Sequence, residues 1–244
     1  MRNRGDRRSP APENSSASFS HIGSDGHGLA RFTCMESPIT PKRILDGEFD
    51  RASAGEKAEV GREVILRSSL VAAALALEPV PLLDTAIVTP MQHRLVQSIG
   101  RLHGYRLDSK DVEAIFEVIR GGLYAPNAMI ALAKVIVFVP VVPDLIAGAI
   151  AFALTSAVGK LGDRIFATGG TMSPSEMRTC FRTLFNREFT HAYKERRDEL
   201  RAMFRSPRVR RELDDLKRAR QRGDVGPDEL PRKTAEILDR GGHR

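Results

Sequence analysis

Side chains that could do chemistry are sparse in the middle of this 244-residue chain and crowded near its end. Asp84 and Asp144 each follow a proline-rich turn. Two carboxylates meeting in an apolar core could relay protons or hold a cation. The commoner use of Asp just after a turn is to cap the next helix, and that reading is preferred. His93 and His103 stand ten residues apart, which does not set them on one helix face at ligand spacing, and no Cys/His/Glu cluster accompanies them. Cys180 falls mid-helix beside Phe181, with His191 a face away, so no thiol–base pair is evident. Gly55-Glu-Lys-Ala-Glu-Val-Gly61 has neither the spacing nor the Lys-Ser/Thr of a phosphate-cradling loop. No catalytic residue, metal ligand or cofactor site is therefore assigned, and the chain reads as non-enzymatic.

One cluster remains, the basic run Arg205–Arg222. Within it Arg208, Arg210, Arg211, Lys217 and Arg218 could contact the phosphates of anionic lipid or of nucleic acid. Glu212, Asp214 and Asp215 interrupt the run, a pattern that favours a solvated helix laced by i,i+4 pairs over a nucleic-acid patch. The net charge of +7 is concentrated here: residues 171–244 hold nineteen Lys/Arg against thirteen Asp/Glu, whereas residues 1–63 balance. The two cysteines, Cys34 and Cys180, form no framework, which points to a reducing compartment. The charged start Met1–Arg8 runs into Ser-Pro-Ala-Pro rather than an apolar segment, so no secretory signal is expected.

The elements follow from apolar periodicity and its punctuation. Residues 1–40 are rich in Ser, Gly, Pro, Asn and Arg and are expected to be a disordered tail. Residues 41–63 read as a charged linker, weakly helical around Ala54–Val60. The first apolar arm is Val64–Leu77, ended by Glu78-Pro-Val-Pro81 because proline lacks the amide donor and disfavours helix just before itself. Thr89-Pro90-Met91-Gln92 reads as a capping box opening a helix that Gly104 closes. Asp108 caps a helix with Val112, Ile115, Phe116 and Ile119 on one face, and Gly121-Gly122 is expected to stop it. A second arm pair, Ala128–Val139 and Asp144–Val158, is broken at Pro140-Val-Val-Pro143. Ser173-Pro-Ser-Glu176 is a further capping box, opening a helix with Met177, Phe181, Leu184, Phe185 and Phe189 on one face. Ser206-Pro207 restarts a helix carrying Val209, Leu213 and Leu216, and a weak last helix falls within Arg232–Leu238.

The expected fold is all-α: two proline-broken apolar hairpins over residues 64–170, with turns at Pro79, Pro81, Asp84, Pro140, Pro143 and Asp144. An amphipathic helix, 171–204, packs on them, and 205–244 forms a basic charged tail. A spanning helix needs about 20 apolar residues. Ala128–Val139 would reach about 18 Å and Asp144–Val158 about 22 Å. One kinked span, a re-entrant hairpin and a buried core hairpin all remain open. Asp144 at mid-bilayer costs about 2.5–3.5 kcal/mol on insertion scales, and the surrounding Val, Ile, Leu and Phe offset it.

Pro79-Val-Pro81-Leu-Leu-Asp84, Pro90-Met-Gln92, Ile99-Gly-Arg-Leu-His-Gly104, Val139-Pro140-Val-Val-Pro143 and Ala147-Gly-Ala-Ile-Ala151, with an exit at Gly159, carry a likeness to a known family. Over about residues 64–200 the chain resembles the GTPase-associated hydrophobic helical domain of bacterial YcjF-type inner-membrane proteins and of some Era-like GTPases. Where that family tends to have Tyr-Gly after the second helix, this chain has His103-Gly104. The resemblance implies a location at the bacterial inner membrane or its cytoplasmic face, contact with membrane lipid, and a partner GTPase. It implies no activity. The alternative is a cytoplasmic helical bundle whose C-terminal helices bind a protein partner.

Overall fold

The structure, a computed structural model, describes residues 38–76, 88–123, 143–194 and 205–241, with Asp198 and Ala202. The expected turns at Pro79, Pro81, Asp84 and Pro140, the arm 128–139 and nearly all of the expected N-terminal tail lie outside the described residues. Among those described there are eight helices and no strand, an all-α fold.

The first departure from expectation is at residues 41–63, which are not a linker. Thr40 and Pro41 open a short helix, α1 (Pro41–Leu45), with the Thr40 hydroxyl accepting from the Arg43 amide. This places Ile39 and Ile44 in the core beside Val60. Ser53 then opens α2 (Ala54–Leu75) through a reciprocal capping box with Glu56. The apolar arm therefore begins ten residues earlier than its run of aliphatic residues suggests. In its last turns Ala72, Ala73 and Ala74 are wholly buried, because alanine lets neighbouring backbones close in.

α3 (Thr89–Leu102) lacks the capping box read from Thr89 and Gln92. Val88 already has helical backbone angles and there is no side-chain cap. A capping residue needs an extended backbone so that its oxygen can turn onto the first free amides. Gln92, released from that role, donates instead to the Thr155 hydroxyl across the core at 3.0 Å. Gly104 does end the helix, at φ +87°, with the Tyr105 amide donating back to the Gly100 carbonyl.

α4 (Ser109–Leu123) starts where Asp108 accepts from the amides of Lys110 and Asp111. It runs on through Gly121 and Gly122, which do not stop it. α5 (Pro143–Ala167) is likewise longer than expected, 25 residues, and passes straight through Gly159. That glycine is no exit. A Cβ there would stand 2.7 Å from Ile65 and 3.2 Å from Leu95, so Gly159 marks a close approach of α5 to α2 and α3. Pro143 and Asp144 are the first two residues of α5, where proline's fixed φ and missing amide cost nothing.

Gly169 and Gly170, both at positive φ, turn the chain. α6 (Pro174–Lys194) then starts at the Ser173–Glu176 capping box, as read. Its Phe181, Leu184 and Phe189 are buried, and the rings of Phe181, Phe185 and Phe189 stack at 6.4 and 6.1 Å. α7 (Pro207–Gln221) and α8 (Glu229–Gly241) form a helical hairpin around Gly223. Residues 205–241 are not a charged tail. Val209, Leu213, Leu216, Val225, Leu230, Ile237 and Leu238 share one core cluster with Leu70–Leu75, Met91, Phe152 and Phe189.

Pairings across the bundle fix the helix directions. Gly61 of α2 packs beside Ile99 and Leu102 of α3, so these two run antiparallel. Gln92 meets Thr155 and His103 meets Asp163, so α3 and α5 run the same way. His93 lies on Phe116, and Gln97 donates to the Leu107 carbonyl just before α4, so α4 opposes α3. It follows that α2 and α4 finish, and α3 and α5 begin, at one end of the bundle, here called the apex.

Candidate functional site

Three clusters of polar side chains stand out in this scaffold, and the sequence reading anticipated one of them. Glu188 of α6 is 6% exposed and faces α5. Its carboxylate accepts from the Ser156 hydroxyl at 2.9 Å, the Lys160 ammonium at 2.7 Å and the Arg187 Nε at 3.2 Å. Burial pushes this carboxyl upward. The hydrogen bond and charge of Lys160, the Ser156 hydroxyl and the Arg187 charge together outweigh it and hold the group below its ordinary range. An ionised carboxylate with three donors of this kind fixes the register of α5 against α6.

The second cluster joins α3 and α4. The His93 ring lies 4.4 Å from that of Phe116, and its Nε2 stands 3.4 Å from a Glu113 carboxylate oxygen without hydrogen-bond geometry. Burial lowers the His93 pKa, Glu113 opposes that, and Arg120, itself paired with Glu113, adds to it. His93 is thus biased to the neutral imidazole. His103, by contrast, sits at the other end of α3 with its Nε2 2.8 Å from Asp163. The two histidines engage different partners at opposite ends of one helix, and among the described residues no group of three His, Cys, Asp or Glu could hold a metal ion. Cys180 is half-buried, with the Arg164 guanidinium 3.4 Å from its sulfur.

The third cluster is the basic helix α7, and here the structure sorts the expected contacts. Lys217 is 4% exposed, which corrects its assignment as a surface contact. It lies four residues after Leu213 and next to Leu216, on the seam that packs into the core, so burial of those leucines takes Lys217 in with them. Arg208 is exposed but donates to Glu212 at 2.9 Å, an i,i+4 pair as read. Arg210, Arg211 and Arg218 are exposed. Beyond the expected set, Arg222 is also exposed and donates to Asp224 at 2.9 Å. Two further ion pairs tie the hairpin to the bundle: Arg67 to Asp239 at 2.5 Å and Arg94 to Asp228 at 2.9 Å.

Sequence reasoning missed the Glu188 cluster. Its only local trace is one acidic residue on an otherwise apolar stripe of α6, four residues after Leu184 and seven after Phe181. A charge at a core position is a request for a buried partner, and Ser156 and Lys160 at i,i+4 on the facing helix supply it.

The fold and these clusters define an all-α bundle with a structural ionic core and a basic outer helix. No family model, curated protein or solved structure matches the chain.

Proposed function

We propose that this chain is a non-enzymatic helical accessory protein of the cytoplasmic face of a bacterial inner membrane, attached to the lipid surface by one end of its bundle and working with a partner GTPase. The observation that carries the attachment is topological. The two most apolar connecting sequences, 77–87 and 124–142, hold two carboxylates, Glu78 and Asp84, and one lysine, Lys134, and the helix ends that flank them all lie at the apex. Bringing two apolar stretches to one end is what surface insertion requires, because each alone contributes too little area for stable binding.

Of the three membrane pictures, the burial of α5 disfavours a span. One candidate spanning helix occurs among the described residues, Ile146–Ala167, and 67% of its apolar window is already covered by other helices. Moving it into lipid would strip those contacts and break the Gln92–Thr155 and Ser156–Glu188 hydrogen bonds. The partner GTPase rests on the family resemblance alone. Fractionation of the native protein at low salt tests the attachment. Recovery in the membrane pellet is expected, and recovery entirely in the high-speed supernatant would overturn it.

The burial of α5 also favours a second reading, a bundle that folds in water and docks a protein partner through α7 and α8. That reading expects a monodisperse, detergent-free preparation that does not sediment with vesicles.

A further inference from the structure

We infer that the outer face of α7 is a docking surface for anionic lipid headgroups, centred on Arg211 and Arg218. This rests on the membrane attachment proposed above and deepens it by naming the lipid class and the contacting side chains.

The α-helical period places Arg208, Arg211, Asp215, Arg218 and Arg222 on one face, opposite the seam of Val209, Leu213 and Leu216 that enters the core. All five are exposed. The face thus carries four arginines and one aspartate. Arg208 is held by Glu212 and Arg222 by Asp224. Arg211 and Arg218 make no ion pair with a carboxylate among the described residues. They stand at the middle of the face, two turns and about 10 Å apart.

An ordinary solvated helix neutralises such charges with neighbours at i±3 or i±4. Here Asp215 lies within that reach of both arginines and pairs with neither. Arginine's planar fork matches phosphate oxygens and is weakly hydrated, so it gives up water to a headgroup more readily than lysine would. Because the apolar side of α7 is committed to the core, the contact is with headgroups only. It is reversible and salt-sensitive, with a range set by a screening length of about 8 Å at physiological ionic strength. α7 and α8 pack on Leu70–Leu75, Met91 and Phe152, so the basic helix lies on the half of the bundle nearest the apex.

Sedimentation with vesicles tests this on the full chain, using phosphatidylcholine alone and phosphatidylcholine with a third phosphatidylglycerol. The wild-type protein is expected to bind the anionic vesicles more tightly, and the advantage to fade with added salt. Arg211→Glu with Arg218→Glu is expected to lower binding to anionic vesicles by tenfold or more, since each basic residue near such a surface contributes about fivefold. Arg51→Glu with Lys57→Glu makes the same change in net charge at the opposite end of α2 and is expected to change binding less than twofold, with circular dichroism checking that both variants fold. Equal loss in the two variants, or binding that ignores lipid charge, overturns the inference while leaving the attachment standing. Failure of the wild type to bind either vesicle sinks the attachment itself. Binding of a DNA duplex through Arg211 and Arg218 in the absence of vesicle binding also overturns the lipid assignment.

Discussion

The most consequential single residue is Glu188. Its carboxylate is buried yet ionised, and what keeps it so is chiefly Lys160, whose side chain is 37% exposed and reaches in from the rim of α5. A carboxyl held below its unfolded value contributes stability at pH values above that unfolded value, and this contribution is lost as pH falls through the folded one. Urea midpoints measured from pH 7 downward should therefore decline in acid, and Glu188→Gln should flatten part of that decline. Lys160→Met removes the main opposing charge. Burial then prevails, the carboxyl rises instead of falling, and the variant should lose about 1–3 kcal/mol at pH 7. That deficit should shrink as acid neutralises Glu188. A deficit independent of pH would mean that Lys160 contributes packing alone. His93 and Asp50 obey the same rules with different winners. Burial dominates for His93, and for Asp50 the hydrogen bond from Arg101, at 2.7 and 2.9 Å, holds the carboxyl below its usual range.

Helices are where the sequence was most readable and where its punctuation misled. Ser173, Asp108 and Ser206 announce helix starts because a short polar side chain next to a proline or an acidic residue has few other uses. Glycine was the misleading sign. The same residue ends α3 at Gly104, where φ is positive, but continues α5 at Gly159, where the need is room and not freedom. Nothing local separates the two, because the neighbours that make Gly159 necessary, Ile65 and Leu95, are far away in the chain. Substitution with alanine distinguishes the roles by sign. Alanine is a better helix former than glycine by up to about 1 kcal/mol. At Gly121, in α4 with nothing within 4 Å of an added Cβ, that gain should appear as a raised midpoint of thermal unfolding. At Gly159 the new methyl meets a stiff, buried isoleucine at 2.7 Å, and overpacking of about 1–3 kcal/mol should outweigh the propensity gain. A stabilised Gly159→Ala would show that α2 and α5 can part without cost.

At the scale of the whole molecule, composition alone split the chain into a polar front, an apolar middle and a basic end, and the fold does not respect that division. Residues 39–63 and 205–241 look peripheral because their charges are dense. A helix needs only one stripe of its surface to be apolar, and a net charge hides that stripe. Leu213 and Leu216 on α7, and Leu230, Ile237 and Leu238 on α8, supply it amid arginines. Pairing among distant elements cannot be read from such local patterns, so the anchoring of α8 to α2 through Arg67 and Asp239 was invisible as well. Whether these helices belong to the core or merely rest on it has a direct energetic consequence. Leu230 is 0% exposed and packs in the cluster that also holds Leu75, Met91 and Phe152. If α7 and α8 are integral, Leu230→Ala opens a cavity in the shared core and should cost about 2–5 kcal/mol. That loss should appear in one cooperative transition, with the same midpoint from helix content and from a fluorophore placed at Cys180 on α6 in a Cys34→Ser background. A C-terminal hairpin that melts first, while the label on α6 reports an unshifted midpoint, would mean that the charged end of the chain is an appendage, as its composition alone suggests.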